Sequence, residues 1–298
     1  MIDIPNLKEI TFELTTNCGA NCIMCARNKY SQTNSEMDIR DAEQYVNKVV
    51  NDGYNAIILG GMGDPLCYSH LEDFFEFVKI KHTGLSIRLT TTGQLMDSTK
   101  WDLICEYVDI LKISNYGFTK EKYEAVHRGS LVFEDVQRNL MQLSQNRKRK
   151  PYIIMSYLDM DINHSDVMLW VDYWVKQGLD EVNVWKQHNW GGYVADREVL
   201  SNTEVSCERI KNKHFKIWSD GNVSPCVFDC EKRLLLGNLK KDSFSMINEK
   251  YDILRGVHDK GGVSGTDLIC AKCDQIFSRS DALLYLYENG KTIKEYRQ

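Results

Sequence analysis

The 298-residue sequence has no run of about 18 consecutive apolar residues, the length a membrane-spanning helix needs, so no spanning segment is predicted. Its start, Met1 to Pro5, lacks the charged and apolar regions of a secretory signal, which predicts a cytoplasmic protein. Positive charge is not in excess either. Against 37 Lys and Arg stand 42 Asp and Glu, a formal net charge of -5, so no overall field exists to hold a polyanion. Neither nucleic acid nor membrane is an expected partner. Internal repeats and low-complexity tracts are missing as well. With 43% hydrophobic and 27% charged residues the chain is globular in composition, long enough for a sizeable core, and not globally disordered. Its one basic run, Arg147 to Lys150, reads as a solvated helix end without a function.

What the sequence does have is ten cysteines. In a reducing compartment a chain of this size uses them for metal or redox chemistry rather than disulfides. They form two groups, Cys18, Cys22 and Cys25 near the start and Cys207, Cys226, Cys230, Cys270 and Cys273 near the end. Cys67 and Cys105 stand alone, Cys105 reading as helix core.

From about residue 9 to 186, short β-branched runs alternate with amphipathic stretches, the pattern of repeated βα units around a parallel sheet. Six strands are expected, at Glu9 to Leu14, Ala56 to Leu59, Ser86 to Thr91, Ile110 to Ser114, Tyr152 to Leu158 and Glu181 to Trp185. Apolar residues at three- and four-residue spacing predict helices over Asp38 to Asn51, Leu71 to Lys81, Phe133 to Gln145 and Asp166 to Gln177. In such an α/β fold the reactive groups belong at the carboxyl ends of the strands. The alternation stops after Trp185, so the boundary is placed near residue 195, giving domains of 1–195 and 196–298. Within the second, Phe215 to Trp218 and Val223 to Cys226 read as a hairpin around Asp220-Gly221-Asn222.

Cys18, Cys22 and Cys25 follow the first strand in C-x3-C-x2-C spacing, close enough for one loop to bring three thiolates together. A cubane iron-sulfur cluster held by three cysteines keeps one iron open for another ligand. Structural zinc is the alternative, but it is closed by four ligands and no further Cys or His lies nearby in sequence.

This loop resembles that of the radical S-adenosylmethionine (SAM) superfamily, which implies a partial (β/α)6 barrel and a [4Fe-4S] cluster whose open iron binds SAM. Reductive cleavage of SAM then gives a 5'-deoxyadenosyl radical that takes a hydrogen atom from substrate. The resemblance extends to Gly60 through Leu66, similar to the family's GGE-P segment, with Gly61, Gly63 and Asp64 expected at the SAM ammonium. It also implies SAM contacts for Thr91, Thr92, Ser114 and Asn115 at strand ends, for Met24 against adenine and for Arg128 near the SAM carboxylate. A flavodoxin- or ferredoxin-type electron donor is implied with them.

Cys207, Gly221, Cys226 and the Cys270/Cys273 pair resemble the α+β Twitch domain, a shortened form of the SPASM extension, in which four cysteines hold an auxiliary [4Fe-4S] cluster. A zinc ribbon has compatible spacing. Cys230 exceeds the ligand count and reads either as a small buried residue or as a hydrogen-atom donor. The subgroup includes alcohol dehydrogenases and carbohydrate epimerases, which implies an oxidoreductase or epimerase acting on a sugar, aminocyclitol or nucleoside. His188 or Lys186 is the candidate base, and Trp190 the candidate stacking residue. Modification of a ribosomally made peptide and a non-catalytic iron-sulfur or zinc module are the alternatives.

Overall fold

Six parallel strands pair in chain order: β1 (Glu9–Phe12), β2 (Ala56–Leu59), β3 (Ser86–Thr91), β4 (Ile110–Ser114), β5 (Tyr152–Asp159) and β6 (Glu181–Lys186). The computed structural model describes residues 7–29, 34–145, 151–194, 207–277 and 282–296; the expected boundary near residue 195 and the run Arg147 to Lys150 lie outside them. The crossovers carry α1 (Ile39–Asn51), α2 (Leu71–Lys81), α3 (Ser98–Tyr107), α4 (Lys120–Val126), α5 (Phe133–Gln145) and α6 (Val167–Lys176). Parallel neighbours need such connections, and the helices cover one face of the sheet.

Strand alternation sorts the two faces. Ile10, Phe12, Ile57, Leu59, Ile87, Leu89, Leu111, Ile113, Ile153, Met155, Val182 and Val184 are all fully buried on the helix side. The intervening positions, among them Thr11, Arg88, Lys112, Ser156 and Asn183, give a polar concave face. Helix starts are fixed locally. The Asp38 carboxylate accepts from Arg40 N and Asp41 N ahead of α1, which buries Ala42, Tyr45, Val46 and Val49.

The barrel does not close on itself. α7 (Glu208–Lys211) leads to β7 (Phe215–Ile217), which adds in parallel to the outer edge of β1, followed antiparallel by β8 (Asn222–Ser224) and β9 (Gly237–Asn238). After α8 (Phe244–Gly261) and α9 (Asp274–Phe277), β10 (Leu283–Glu288) pairs antiparallel with β6 and carries β11 (Lys291–Lys294). Among the described residues the result is one sheet of eleven strands with C-terminal segments on both flanks.

Strands β2, β3 and β4 and helices α2 and α5 coincide with the expected spans, and β1 is shorter because Glu13 and Leu14 peel away toward the cysteine loop. The expected hairpin strand Val223 to Cys226 is instead Asn222–Ser224, since Pro225 has no N–H to continue the ladder.

Gly221 turns this hairpin at φ +82, and a Cβ there would overlap the hydroxyl of Tyr45 on α1. Gly221→Ala should therefore destabilise the fold by about 2 kcal/mol or more, read from the urea midpoint.

Candidate active site

Between the end of β1 and α1, the cysteine loop is held by the Arg27 side chain and by its own backbone. Arg27 spreads its guanidinium over three loop carbonyls, with Nη1 donating to Thr16 O (3.3 Å) and Cys18 O (3.2 Å) and Nη2 to Ala20 O (2.6 Å). Cys25 N closes a turn on Cys22 O at 3.1 Å, and Ile23 N reaches Val126 O at 3.0 Å. Burial pushes all three thiols up, Cys18 to about 11, and Cys22 is raised further by Cys25 and Cys18 beside it. His127, fully buried, places Nδ1 3.0 Å from Cys22 Sγ, and burial lowers its imidazole to about 4. A neutral imidazole that donates through Nδ1 supports Cys22 as a thiolate once a metal takes the proton's place.

The Gly60 to Asp64 segment lies directly on this loop. Asp64 N donates to Asn17 O at 2.9 Å, and a Cβ on Gly63 would stand 2.7 Å from that same oxygen. A Cβ on Gly61 would overlap the Glu13 carboxylate, so both glycines answer to the protein's own packing. Asp64, 4% exposed, accepts from Leu66 N (3.1 Å), Thr91 Oγ1 (2.8 Å), Thr92 N (3.0 Å) and Thr92 Oγ1 (3.0 Å). These bonds make the Asp64 carboxylate a brace between β2 and β3. Asn115 shares the parity of Leu111 and Ile113, and its Oδ1 accepts from Trp170 Nε1 on α6 at 2.9 Å, on the helix side.

Other expected contacts keep to the mouth. Met24 sits in an apolar cluster with Val126 and Met160, against which Tyr116 and Leu158 pack. Ser114 hydrogen-bonds the Tyr116 hydroxyl. Arg128 is exposed at φ +52, followed by Gly129 at φ +65. Inside the concave face, Ser156 Oγ donates to Asn183 Oδ1 (2.7 Å), as does Trp185 Nε1 (2.8 Å). Lys112 lies 5.9 Å from the Trp185 ring, its amine lowered to about 8 by burial and the nearby Arg88.

The second cysteine group also gathers. Cys226 feels Cys207, Cys270 feels Cys226 and Cys207, and Cys273 feels Cys226 and Cys270, while burial raises Cys226, Cys270 (to about 12) and Cys273. The loop after β6 docks on this group through Asn189, whose N donates to Asp274 Oδ2 (2.8 Å) and whose Nδ2 donates to Lys272 O (2.7 Å). His188 and Trp190 pack on each other at 4.8 Å and on Phe228 at 4.2 and 5.3 Å. Cys230, 1% exposed, shares a buried cluster with Ala26, Met62 and Trp218, packed by Trp190. Lys186, the last residue of β6, has the parity of Val182 and Val184, on the face opposite Asn183 and Trp185.

Among the described residues no three His, Cys, Asp or Glu side chains are grouped to hold a single metal ion. Mononuclear zinc draws its thiolates to about 2.3 Å from one centre, whereas a cubane takes each on a different iron. All-thiol sets of three and four fit the cubane, and none of these cysteines is joined in a disulfide.

A family model described as the radical SAM superfamily matches residues 12–169, more than half of the chain, and one described as an iron-sulfur cluster-binding domain, SPASM, matches residues 207–274. The protein belongs to the radical SAM superfamily and carries a C-terminal SPASM/Twitch domain, which brings a SAM-binding [4Fe-4S] cluster, an auxiliary cluster and SAM as cofactors. The tungsten-containing aldehyde ferredoxin oxidoreductase cofactor-modifying protein of Pyrococcus furiosus is 21% identical over 309 residues, covering 84% of this chain and 83% of its own. Among solved structures, BtrN in complex with AdoMet and 2-DOIA has a TM-score of 0.61 at 19% identity, covering 94% of this chain and 99% of that one. The structure of anSMEcpe with bound AdoMet and the Cp18Cys peptide has a TM-score of 0.66 at 16% identity, covering 92% and 91%. At these identities the likeness is one of fold. No helix among the described residues is long and apolar enough to cross a membrane.

If Asp64 is the brace its bonds describe, Asp64→Ala leaves Thr92 N and two hydroxyls unpaired. A loss of about 2–4 kcal/mol is expected in urea unfolding, together with less iron retained at the cysteine loop on anaerobic reconstitution.

Proposed function

We propose that this radical SAM enzyme acts on a polar small molecule such as a sugar, aminocyclitol or nucleoside, with residues 1–195 as the barrel and 196–298 as the auxiliary domain. Cys18, Cys22 and Cys25 would hold the SAM-binding cluster, and Cys207, Cys226, Cys270 and Cys273 the auxiliary one. Met24, Asp64, Thr91, Thr92, Ser114 and Arg128 are the residues proposed to meet SAM. Reductively cleaved SAM supplies a 5'-deoxyadenosyl radical that removes a hydrogen atom from substrate, the electron coming from a flavodoxin- or ferredoxin-type donor.

The concave face supports a small polar substrate. Lys112, with an amine near neutrality, Asn183, Ser156 and the half-exposed Trp185 combine hydrogen-bonding groups with an aromatic plate. The similarity to a cofactor-modifying protein of Pyrococcus furiosus and to BtrN, which is seen with 2-DOIA, agrees with this choice.

The observation that carries the chemistry is Cys230. Its thiol is 1% exposed, feels both Cys25 and Cys226, and is held protonated by burial. A protonated thiol in that place is suited to return a hydrogen atom to a substrate carbon radical, forming C–H and breaking S–H. One electron and one proton then restore the thiol. Such a return to the opposite face is epimerisation. Oxidation is the neighbouring outcome, with His188 taking the proton and the auxiliary cluster the electron. The Cp18Cys peptide in anSMEcpe favours a second reading, modification of a ribosomally made peptide.

Anaerobic turnover with candidate substrates in deuterated water separates these. Return from Cys230 places solvent deuterium in the product, and Cys230→Ala should still form 5'-deoxyadenosine while losing at least about tenfold in product; oxidation leaves the product free of solvent deuterium. Replacing Cys18, Cys22 and Cys25 together by alanine should abolish SAM cleavage but leave about four irons, the content of one cubane. Cleavage by that variant would remove the cluster assignment.

A further inference from the structure

Lys216 of β7 and Glu13, just beyond β1, form an ion pair of 2.6 Å with side-chain exposures of 0% and 1%. The carboxylate Oε2 also accepts Met62 N at 2.8 Å, while Oε1 has no hydrogen-bond partner among the described residues. The ammonium stands 3.2 Å from the centroid of the Trp218 ring, and Trp218 shares its buried cluster with Ala26, which follows Cys25. Through Trp218 the ammonium is packed against the buried cluster that holds Ala26, the neighbour of Cys25, and Cys230. The pair is thus oriented, its positive end toward the cysteine loop and its negative end on the Gly60 to Asp64 segment. On the auxiliary side the packed cation is Arg209, 4.7 Å from the centroid of the Phe228 ring, whose residue donates its N–H to Cys226 Sγ at 3.4 Å.

Stability does not account for such a pair. Desolvating two charges costs more than a pair with an unmet oxygen returns, and apolar replacements of both partners are often neutral or stabilising. A fixed charge in a dry interior does act strongly on a neighbouring change of charge. Reducing an iron-sulfur cluster adds one negative charge at the thiolates, and nearby charge is one of the levers that set its potential.

We propose that Lys216, anchored by Glu13, is a positioning charge that raises the reduction potential of the cluster at Cys18, Cys22 and Cys25 without comparable effect on the auxiliary cluster. This rests on the ligand assignment made above, and no step of the reaction passes through Lys216 itself.

The test is an EPR-monitored redox titration of the full chain with both clusters reconstituted, the SAM cluster being the one whose signal changes when SAM is added. In Lys216→Gln the reduced-to-oxidised ratio of that cluster at a fixed potential should fall about tenfold, about 59 mV for a one-electron couple. In Glu13→Gln it should rise, because the opposing charge is gone. Lys216→Arg should keep the ratio within about threefold, and Arg209→Gln should move the auxiliary cluster and not the SAM cluster. Should Lys216→Gln fail to fold, the Glu13→Met/Lys216→Met double variant keeps the site filled and should shift in the same sense as Lys216→Gln. Equal shifts of both clusters, shifts of one sign in Lys216→Gln and Glu13→Gln, or no shift would overturn the proposal. Unmoved potentials in a protein that still cleaves SAM sink this inference alone, whereas a protein with no SAM-responsive cluster sinks the ligand assignment as well.

Discussion

The segment against which the cysteine loop rests keeps its place because a single carboxylate, Asp64, is taken out of water and satisfied by Leu66 two residues on and by Thr91 and Thr92 at the end of β3. Its backbone is tied to Asn17 at the loop entrance, and its side chain to Thr91, Thr92 and Leu66. A buried carboxylate is costly unless its oxygens are met, so the arrangement tolerates little displacement. The tips of β1, β2 and β3 are thereby locked together on the side where the thiols project. Glycine at position 63 permits this approach, since any side chain would strike the backbone of Thr15 and Asn17.

The C-terminal region is a flank of the barrel as much as a neighbour to it. β7 lies along β1 and β10 along β6, so the segments bearing the second cysteine group leave from the two margins of the six-stranded sheet. Asn189 completes the connection through its paired bonds with Asp274 and Lys272. Cys230, Trp190 and His188 consequently lie where the two cysteine groups face one another, without any of them being close in sequence to the first group.

Much of this could be read from residue order alone. Parallel strands buried on one face leave compact apolar runs between turn residues, which is why β2, β3 and β4 had sharp limits. The cysteines were legible because their spacing has few other uses. What escaped was of two kinds. β10 and β11 turn at Asn289-Gly290, both at positive φ, but lie beyond the alternating βα pattern, and α8 has apolar residues on opposite faces, with Ile253 71% exposed. The facing of Asn115 and Lys186 was hidden for another reason: a motif position gives proximity to a strand end but not the face, and alternation sets both on the helix side. Arg27, His127, Lys112, Glu13 and Lys216 are single residues whose partners are distant in sequence, so spacing could not reveal them.

The outermost strand on one side, β11, is bracketed by Lys291 and Lys294, with Ile293 59% exposed between them. Lys294 bends back so that its amine donates to Leu283 O on the neighbouring strand. An open margin of unpaired peptide groups invites another chain to extend the ladder, and cationic side chains at its ends are a common defence. On the far side the terminal strand, β9, is only two residues long. Short length at one margin and charge at the other oppose end-to-end polymerisation through the sheet.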